Sequence, residues 1–170
     1  MRRFGSGPSA GTSFWVLLIC LLVSTPTGWV AAATEALAPS SITNALIAFT
    51  NANRERLGRT TLRASDGLMR AAQLHADQMA RVGQLGHVLA TATFPRPEDR
   101  LAEATYRWRT YGENVAMGQS TAERALERWM GSSGHRENIL NAAFTELGTG
   151  YATDARGRPY YVQVFGAPRP

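Results

Sequence analysis

The chain contains no lysine and only one cysteine. All 18 basic residues among its 170 are arginines, and they are interspersed with 13 acidic residues. A nucleic-acid-binding surface needs a stripe or patch of positive charge, which this scattered pattern does not provide. The sequence therefore predicts no nucleic-acid partner. The bias against lysine is typical of a GC-rich genome and carries no functional information.

One apolar run stands out near the N-terminus, and it is too short to cross a membrane. It extends from Phe14 to Ser24, follows the basic pair Arg2-Arg3, and precedes an A-x-A sequence at Ala31–Ala33. This order is typical of a secretory signal peptide. We predict a signal peptide at residues 1–33 and a secreted or periplasmic mature chain without a membrane span. An uncleaved anchor is the alternative.

The single cysteine, Cys20, lies inside that apolar run. Cleavage after Ala33 would leave a mature chain without any disulfide, which must be stabilised by its hydrophobic core alone. Exported domains of this kind are typical of bacterial envelope or secreted proteins. With 44% apolar residues, the chain is long enough to form one compact domain with such a core.

Apolar periodicity predicts helices first and strands afterwards. The predicted elements are helices at 41–57 and 65–82, a loop at 88–98, a helical turn at 99–104, a helix from the capping box Ser120–Glu123 to Met130, and strands at 147–153 and 159–165. Trp129 shares a face of the last helix with Ala125 and Leu126, and we predict that it is a core residue.

The last predicted strand is apolar on both faces, with Tyr160, Val162 and Val164 on one and Tyr161, Gln163 and Phe165 on the other. Such a strand is covered on both sides. In its partner strand, Gly148 and Gly150 share one face and leave room for a close approach. These features predict an α+β fold, a three-layer α/β/α sandwich with a small, mainly antiparallel sheet.

Two of the three histidines lie where the chain is predicted to turn. His87 and His135 each follow a glycine, and between them Glu113 begins a segment that can be extended. If they converge, the imidazoles and the carboxylate could bind a divalent cation such as Zn²⁺, or Glu113 could orient a histidine that acts as a general base. After the predicted signal peptide the chain contains neither H-E-x-x-H nor a G-x-S-x-G nucleophile elbow, so turn caps and surface hydrogen bonds are a third interpretation.

Other polar residues have ordinary structural interpretations. His75 lies on the apolar face of the second helix, which predicts a core histidine with a satisfied hydrogen bond. Asn114 is expected to bond turn backbone. Arg136 could pair with Glu113 or Glu137, or form a surface ion pair.

A series of short segments extends along most of the chain: N-A-N-R at 51–54, A-A-Q-L-H-A-D-Q-M at 71–79, L-G-H at 85–87, Arg100, Y-G-E-N-V-A-M-G at 111–118, W-M-G-S-S-G-H-R-E-N-I-L at 129–140 and F-T-E-L-G-T-G-Y at 144–151. In this order they resemble the CAP family, also called the SCP domain, of cysteine-rich secretory proteins, antigen 5 and plant pathogenesis-related proteins. The likeness is greatest to its bacterial branch. On this basis the CAP/SCP domain spans residues 42–166, after a tether at 34–41 and before a tail at 167–170.

The resemblance implies an α/β/α sandwich with a cavity lined by two histidines and acidic residues. Carried over to this sequence, the cavity residues and metal ligands are His87, Glu113 and His135, surrounded by Ser132, Arg136 and Asn114. Animal and plant members usually have a further glutamate three residues after the tryptophan, where this chain has Ser132. The resemblance therefore implies a site with one carboxylate, which would still accept a metal with lower affinity.

The family resemblance also implies the kind of function. It suggests a secreted binding module with a cavity for Zn²⁺ or another divalent cation, acting at or outside the cell envelope on a lipid, sterol or protein ligand. The alternative is a metal-assisted or histidine-dependent hydrolase of peptides or cell-wall material, which the lack of a recognisable serine nucleophile makes weaker. A purely structural or adhesive role is the third interpretation.

Overall fold

The computed structural model describes residues 38–170. The predicted signal peptide, with Cys20, lies outside this range, as does the first half of the predicted tether, residues 34–37. The elements, in chain order, are α1 Pro39–Arg56, β1 Arg63–Ala64, α2 Asp66–Val82, α3 Pro97–Glu103, β2 Trp108–Met117, α4 Ala122–Met130, α5 Ser133–Leu140, β3 Glu146–Thr153 and β4 Pro159–Pro168. Within residues 38–170, no helix combines the length and apolarity needed to span a membrane.

The four strands form one mainly antiparallel sheet in the order β1-β3-β4-β2. Strand β4 pairs antiparallel with both β3 and β2, whereas the short β1 pairs parallel with β3. The two strands predicted from alternation are confirmed as β3 and β4. Strand β2 lies at an edge of the sheet. Its side chains alternate between the two faces, so elements on either face can contact them.

Helices cover both faces of the sheet, which confirms the three-layer α/β/α sandwich. On one face, α2 packs against Tyr160, Val162 and Val164 of β4. On the other, α1, α4 and α5 enclose a second cluster with Tyr161 and Phe165. The opposite faces of one central strand therefore contribute to two separate hydrophobic cores.

The glycine face of β3 confirms the expected close approach. A Cβ atom at Gly148 would lie 2.0 Å from the carbonyl carbon of Leu68, and one at Gly150 would lie 2.2 Å from the carbonyl oxygen of Ala72. Both Leu68 and Ala72 belong to α2. The backbone of α2 therefore rests directly on β3, at a distance that no side chain other than hydrogen allows.

A chain of buried hydrogen bonds crosses the second core. Asn114 Nδ2 donates to Gln163 Oε1 at 3.1 Å, and Gln163 Nε2 donates to Thr50 Oγ1 at 2.6 Å. Thr50 in turn donates to the carbonyl oxygen of Leu46. This chain connects β2, β4 and α1, and it explains how the polar Gln163 is tolerated on an inward face.

The segment around His135 differs from the prediction. We expected a turn, but the structure has the helix α5, and His135 lies in its first turn. Gly131 ends α4, and Ser132 precedes α5 in an extended conformation, so the chain breaks and starts a second helix. A break of only two residues between helices leaves little sequence signal.

Other boundaries shift for local reasons. Helices α1 and α3 begin earlier than expected, at Pro39 and Pro97, because proline is favoured in the first helical turn. Helix α4 is capped by Thr121, whose hydroxyl accepts from the Arg124 N–H, rather than by Ser120. Strand β4 continues to Pro168, within the expected tail, because Trp108 of β2 pairs with it.

Candidate functional site

Glu113 lies in the middle of β2 and not, as predicted, at the start of an extended segment. It shares a face with Val115, which belongs to the core beneath α2. The pairing of β2 with β4 extends back to Trp108, because β4 is longer than its apolar alternation indicates. The carboxylate is therefore held by the sheet, and Glu113 is only 8% exposed.

Three side chains from other elements surround this carboxylate. His87, from the loop between α2 and α3, donates from Nδ1 to Glu113 Oε1 at 2.9 Å. Arg100, on α3, donates from Nη2 to Oε1 and Oε2 at 3.3 and 3.0 Å. His75, on α2, has its Nε2 atom 3.6 Å from Oε1. Both carboxylate oxygens are thus engaged by protein donors.

Arg100 also holds the loop that carries His87. Its guanidinium is buried and donates to the carbonyl oxygens of His87, Phe94 and Pro95 at 3.0, 3.3 and 3.1 Å. The prediction that Arg136 could pair with Glu113 is wrong, because Arg136 is exposed on α5 and Arg100 is the guanidinium partner. Arg100 appeared only as one matching position in the family resemblance, and nothing local indicated its partner.

The charges within this cluster follow from burial and pairing. Burial raises the pKa of Glu113, but its polar partners outweigh burial and lower the pKa, the hydrogen bond from His87 first and then His75 and Arg100. Burial lowers the pKa of His75 to about 4. Arg100 forms a buried ion pair with Glu113 at 3.0 Å, which favours the ionised carboxylate.

The Glu113 hydrogen bond orients the ring of His87. When Nδ1 of the neutral ring donates to the carboxylate, the other ring nitrogen, Nε2, is the acceptor. The His87 side chain is 50% exposed, so this nitrogen is open to a ligand from solvent. A carboxylate behind a half-exposed imidazole is an arrangement found in metal sites and in general bases.

His135 approaches the same edge of the sheet from the opposite face. Its carbonyl oxygen accepts from Asn114 Nδ2 at 3.1 Å, so Asn114 bonds backbone as predicted, although the backbone is that of a helix. The His135 ring is half-buried, and its Nδ1 atom is buried without a hydrogen-bond partner in the described part of the chain. Burial is the largest cause that lowers the pKa of His135, followed by the charges of His87 and Arg128.

The structure therefore brings His87 and Glu113 into direct contact and adds His75 and Arg100, while His135 is joined through its backbone to Asn114, the residue after Glu113. Ser132 precedes α5 without a capping bond from its side chain. Among residues 38–170 there is no group of three or more His, Cys, Asp or Glu side chains arranged to hold a metal ion. Both Glu113 oxygens are already engaged by His87 and Arg100.

His75 is a core residue, as predicted, but it also belongs to the polar cluster. Its Nε2 atom lies 2.9 Å from the carbonyl oxygen of Gly86, which satisfies one ring nitrogen. Its Nδ1 atom is buried and has no hydrogen-bond partner within the described residues. The expectation of a satisfied core histidine is thus correct for one nitrogen only.

Acidification should destabilise the protein through His75, whose pKa burial lowers to about 4. In the unfolded chain this pKa is about 6.5. Between these values the unfolded state binds more protons, so stability should fall as pH falls, by about 1.4 kcal/mol per pH unit. Glutamine does not titrate, so His75→Gln should not lose this stability on acidification. The variant should be less stable than wild type at about pH 7, and the difference in unfolding free energy should narrow towards about pH 4.5. Urea unfolding across this range measures the deficit, and a constant deficit would contradict the assignment.

Comparison with known proteins identifies the family. The model of the cysteine-rich secretory protein family, CAP, matches residues 47–165, so the chain belongs to the CAP family. The Bacillus subtilis protein YkwD is 35% identical over 121 residues, which cover 69% of this chain and 46% of YkwD. The chain thus spans less than half of that relative.

Solved structures agree with this assignment. An extracellular protein containing an SCP domain from Bacillus anthracis has a TM-score of 0.67 and 27% identity, over 78% of this chain and 45% of that one. An outer surface protein of Borrelia burgdorferi has a TM-score of 0.70 and 19% identity, over 78% of this chain and 97% of that one. The first supports a bacterial SCP domain, and the second, at its lower identity, supports the fold alone.

Proposed function

We propose that this chain is an exported CAP module that binds its ligand at or outside the cell envelope, with His87 and His135 as a two-imidazole site for a divalent cation. The observation that carries the proposal is the 2.9 Å hydrogen bond from His87 Nδ1 to Glu113. It leaves Nε2 of a half-exposed ring free to ligate. The Bacillus anthracis protein is extracellular, which supports the same compartment for this chain.

The chemistry of the donors favours a metal such as Zn²⁺. Metal-bound histidines commonly donate their second ring N–H to a carboxylate, as His87 does to Glu113. The lowered pKa of His135, caused first by burial, keeps its imidazole neutral and able to ligate. Water would complete the coordination, since Glu113 is engaged by Arg100 and acts by orienting His87. A bound cation would supply a Lewis acid on which a ligand could be held.

The metal proposal is tested by titrating Zn²⁺ and measuring the melting temperature and the heat of binding. A cation that binds only the folded state should stabilise it by about 2.7 kcal/mol at a hundredfold excess over its dissociation constant. His87→Ala and His135→Ala should each abolish most of this response. Glu113→Gln, which removes the charge behind His87, should weaken Zn²⁺ binding by about 10–100-fold.

Gln84→Ala provides a matched control, because Gln84 is exposed on the same loop as His87. It should leave the Zn²⁺ response unchanged. The affinity should fall on acidification, since both imidazoles must be neutral to ligate. For His135 this loss should occur below the usual value of about 6.5, because burial lowers its pKa. A Zn²⁺-induced rise in melting temperature that persists in both histidine variants would contradict the proposed site.

The hydrolase alternative is favoured by the same His87–Glu113 pair, because a carboxylate-oriented imidazole can also act as a general base. The two functions separate in one assay. Hydrolysis of peptide or cell-wall material that is lost in His87→Ala would support the alternative, and its sensitivity to a metal chelator would distinguish a metal-assisted from a histidine-dependent hydrolase. Absence of hydrolysis, with Zn²⁺ binding intact, would support the binding module.

Export is part of the proposal and rests on the sequence of residues 1–33. The intact mass of the protein recovered outside the cytoplasm distinguishes the outcomes. A chain that begins after Ala33 would support export with cleavage, whereas an exported chain that retains residues 1–33 would contradict cleavage and support the uncleaved anchor.

A further inference from the structure

A second polar cavity lies at the C-terminal end of α1, formed by different residues from the His87 site. Its volume is about 330 Å³, near the lower end of the range for small-molecule sites. It is bounded by the end of α1, the loop after it and the segment between α5 and β3. The residues that matter to its chemistry are Arg54, Arg59, Thr60, Thr61, Phe144 and Thr145.

Arg54 is a buried cation with only neutral partners. It is 2% exposed, donates from Nε to the carbonyl oxygen of Thr60 at 2.7 Å, and donates from Nη1 to the carbonyl oxygens of Ile139 and Asn141 at 2.6 and 3.1 Å. Among residues 38–170, Arg54 forms no ion pair with a carboxylate. Its remaining nitrogen, Nη2, has no hydrogen-bond partner within the same range. This nitrogen is the donor available to a ligand in the cavity.

A second arginine borders the same cavity and increases the positive charge. Burial lowers the pKa of Arg54, and the like charge of Arg59 lowers it further. The cavity is thus lined by two guanidinium groups, one of them almost completely buried. They repel each other and give the cavity a net positive charge. A bound anion would remove this unfavourable interaction, since a buried charge is tolerated best when it is paired.

The other walls complete the donor set. The hydroxyls of Thr60, Thr61 and Thr145 can donate hydrogen bonds, and guanidinium groups are well matched to the oxygens of phosphate and carboxylate. Phe144 contributes an apolar wall. We propose that this cavity binds an oxyanion, the phosphate or carboxylate group of a larger ligand, with Arg54 and Arg59 as its cationic contacts.

The probes are inorganic phosphate and acetate, titrated into the purified protein at constant ionic strength while amide NMR shifts are recorded. We expect saturable shifts centred on Thr60, Thr61 and Thr145. Arg59→Ala should weaken the affinity roughly tenfold or more, because it removes a charged donor. Arg56→Ala is the matched control, since Arg56 is exposed at the same end of α1 and does not line the cavity. It should change the affinity less than about twofold.

Arg54 bonds to the backbone after α1 and at the end of α5, so Arg54→Lys alone could disturb the fold. Thr61→Val is therefore made as a separate second variant, because it leaves these Arg54 contacts in place. Each should weaken binding. Saturation by phosphate alone would assign the site to phosphate groups, and saturation by both probes would include carboxylates. The proposal is overturned if neither probe produces saturable shifts at these threonines, or if Arg56→Ala weakens binding as much as Arg59→Ala does.

Discussion

Replacing Trp129 with alanine should lower the free energy of unfolding by about 3–5 kcal/mol, which is typical of large cavities in a core. The ring is completely buried in the cluster beneath α4, together with Leu126 and Phe165. Its Nε1 atom also donates to the carbonyl oxygen of Val115 at 3.0 Å. The only cysteine lies before the described residues, so the folded domain has no disulfide to offset the loss. A loss of this size would remove much of a typical stability of about 5–15 kcal/mol.

Two further variants separate volume from hydrogen bonding at this position. Trp129→Phe retains a ring but leaves the Val115 carbonyl unpaired, so we expect a cost of about 1–3 kcal/mol. Trp108→Ala is the control, because Trp108 is only half-buried, on the edge strand β2, and should cost less than Trp129→Ala. Urea unfolding measures all three variants. A loss below about 1 kcal/mol for Trp129→Ala would show that the ring does not support the core.

Arg100→Met should be similarly destabilising, by about 3–5 kcal/mol, because it leaves a buried carboxylate without its cation. The side chains of Arg100 and Glu113 are 1% and 4% exposed. The substitution keeps an unbranched apolar chain but removes the donors to Glu113 and to the carbonyl oxygens of the loop that carries His87. It should therefore also weaken any ligand binding that requires His87 to be held in place.

If the loss in Arg100→Met is caused by the unpaired charge of Glu113, it should depend on pH. The stability difference between wild type and Arg100→Met should narrow as pH falls, because protonation of Glu113 removes the uncompensated charge. The double variant Arg100→Met/Glu113→Gln should be less destabilised than the sum of the single variants. Arg124→Ala is the matched control, since its pair with Glu127 is 70% and 55% exposed and should contribute less than about 1 kcal/mol. Equal losses for Arg100→Met and Arg124→Ala would refute the buried-pair explanation.

Much of the fold was predictable because its signals are local. Strands β3 and β4 follow from alternation and from the intervening turn, and the glycines of β3 indicate the close approach of α2. Strand β1 was not predictable, because two residues carry no periodicity and the strand exists through its pairing with β3. Helix α5 was missed for a related reason. It has only one buried residue, Ile139, and Asn114 and Arg54 bond to its backbone and to Asn141 at its end.

The sequence by itself determined the family, the layered architecture and the candidate polar residues His87, Glu113 and His135. Only the tertiary structure decided how these residues are paired. It assigns Arg100 rather than Arg136 to Glu113, adds His75 to the cluster, and places His135 across the edge of the sheet from the carboxylate. Periodicity and caps report on neighbours along one element, whereas these partners come from α2, α3 and α5. They meet only because helices pack on both faces of the edge strand β2.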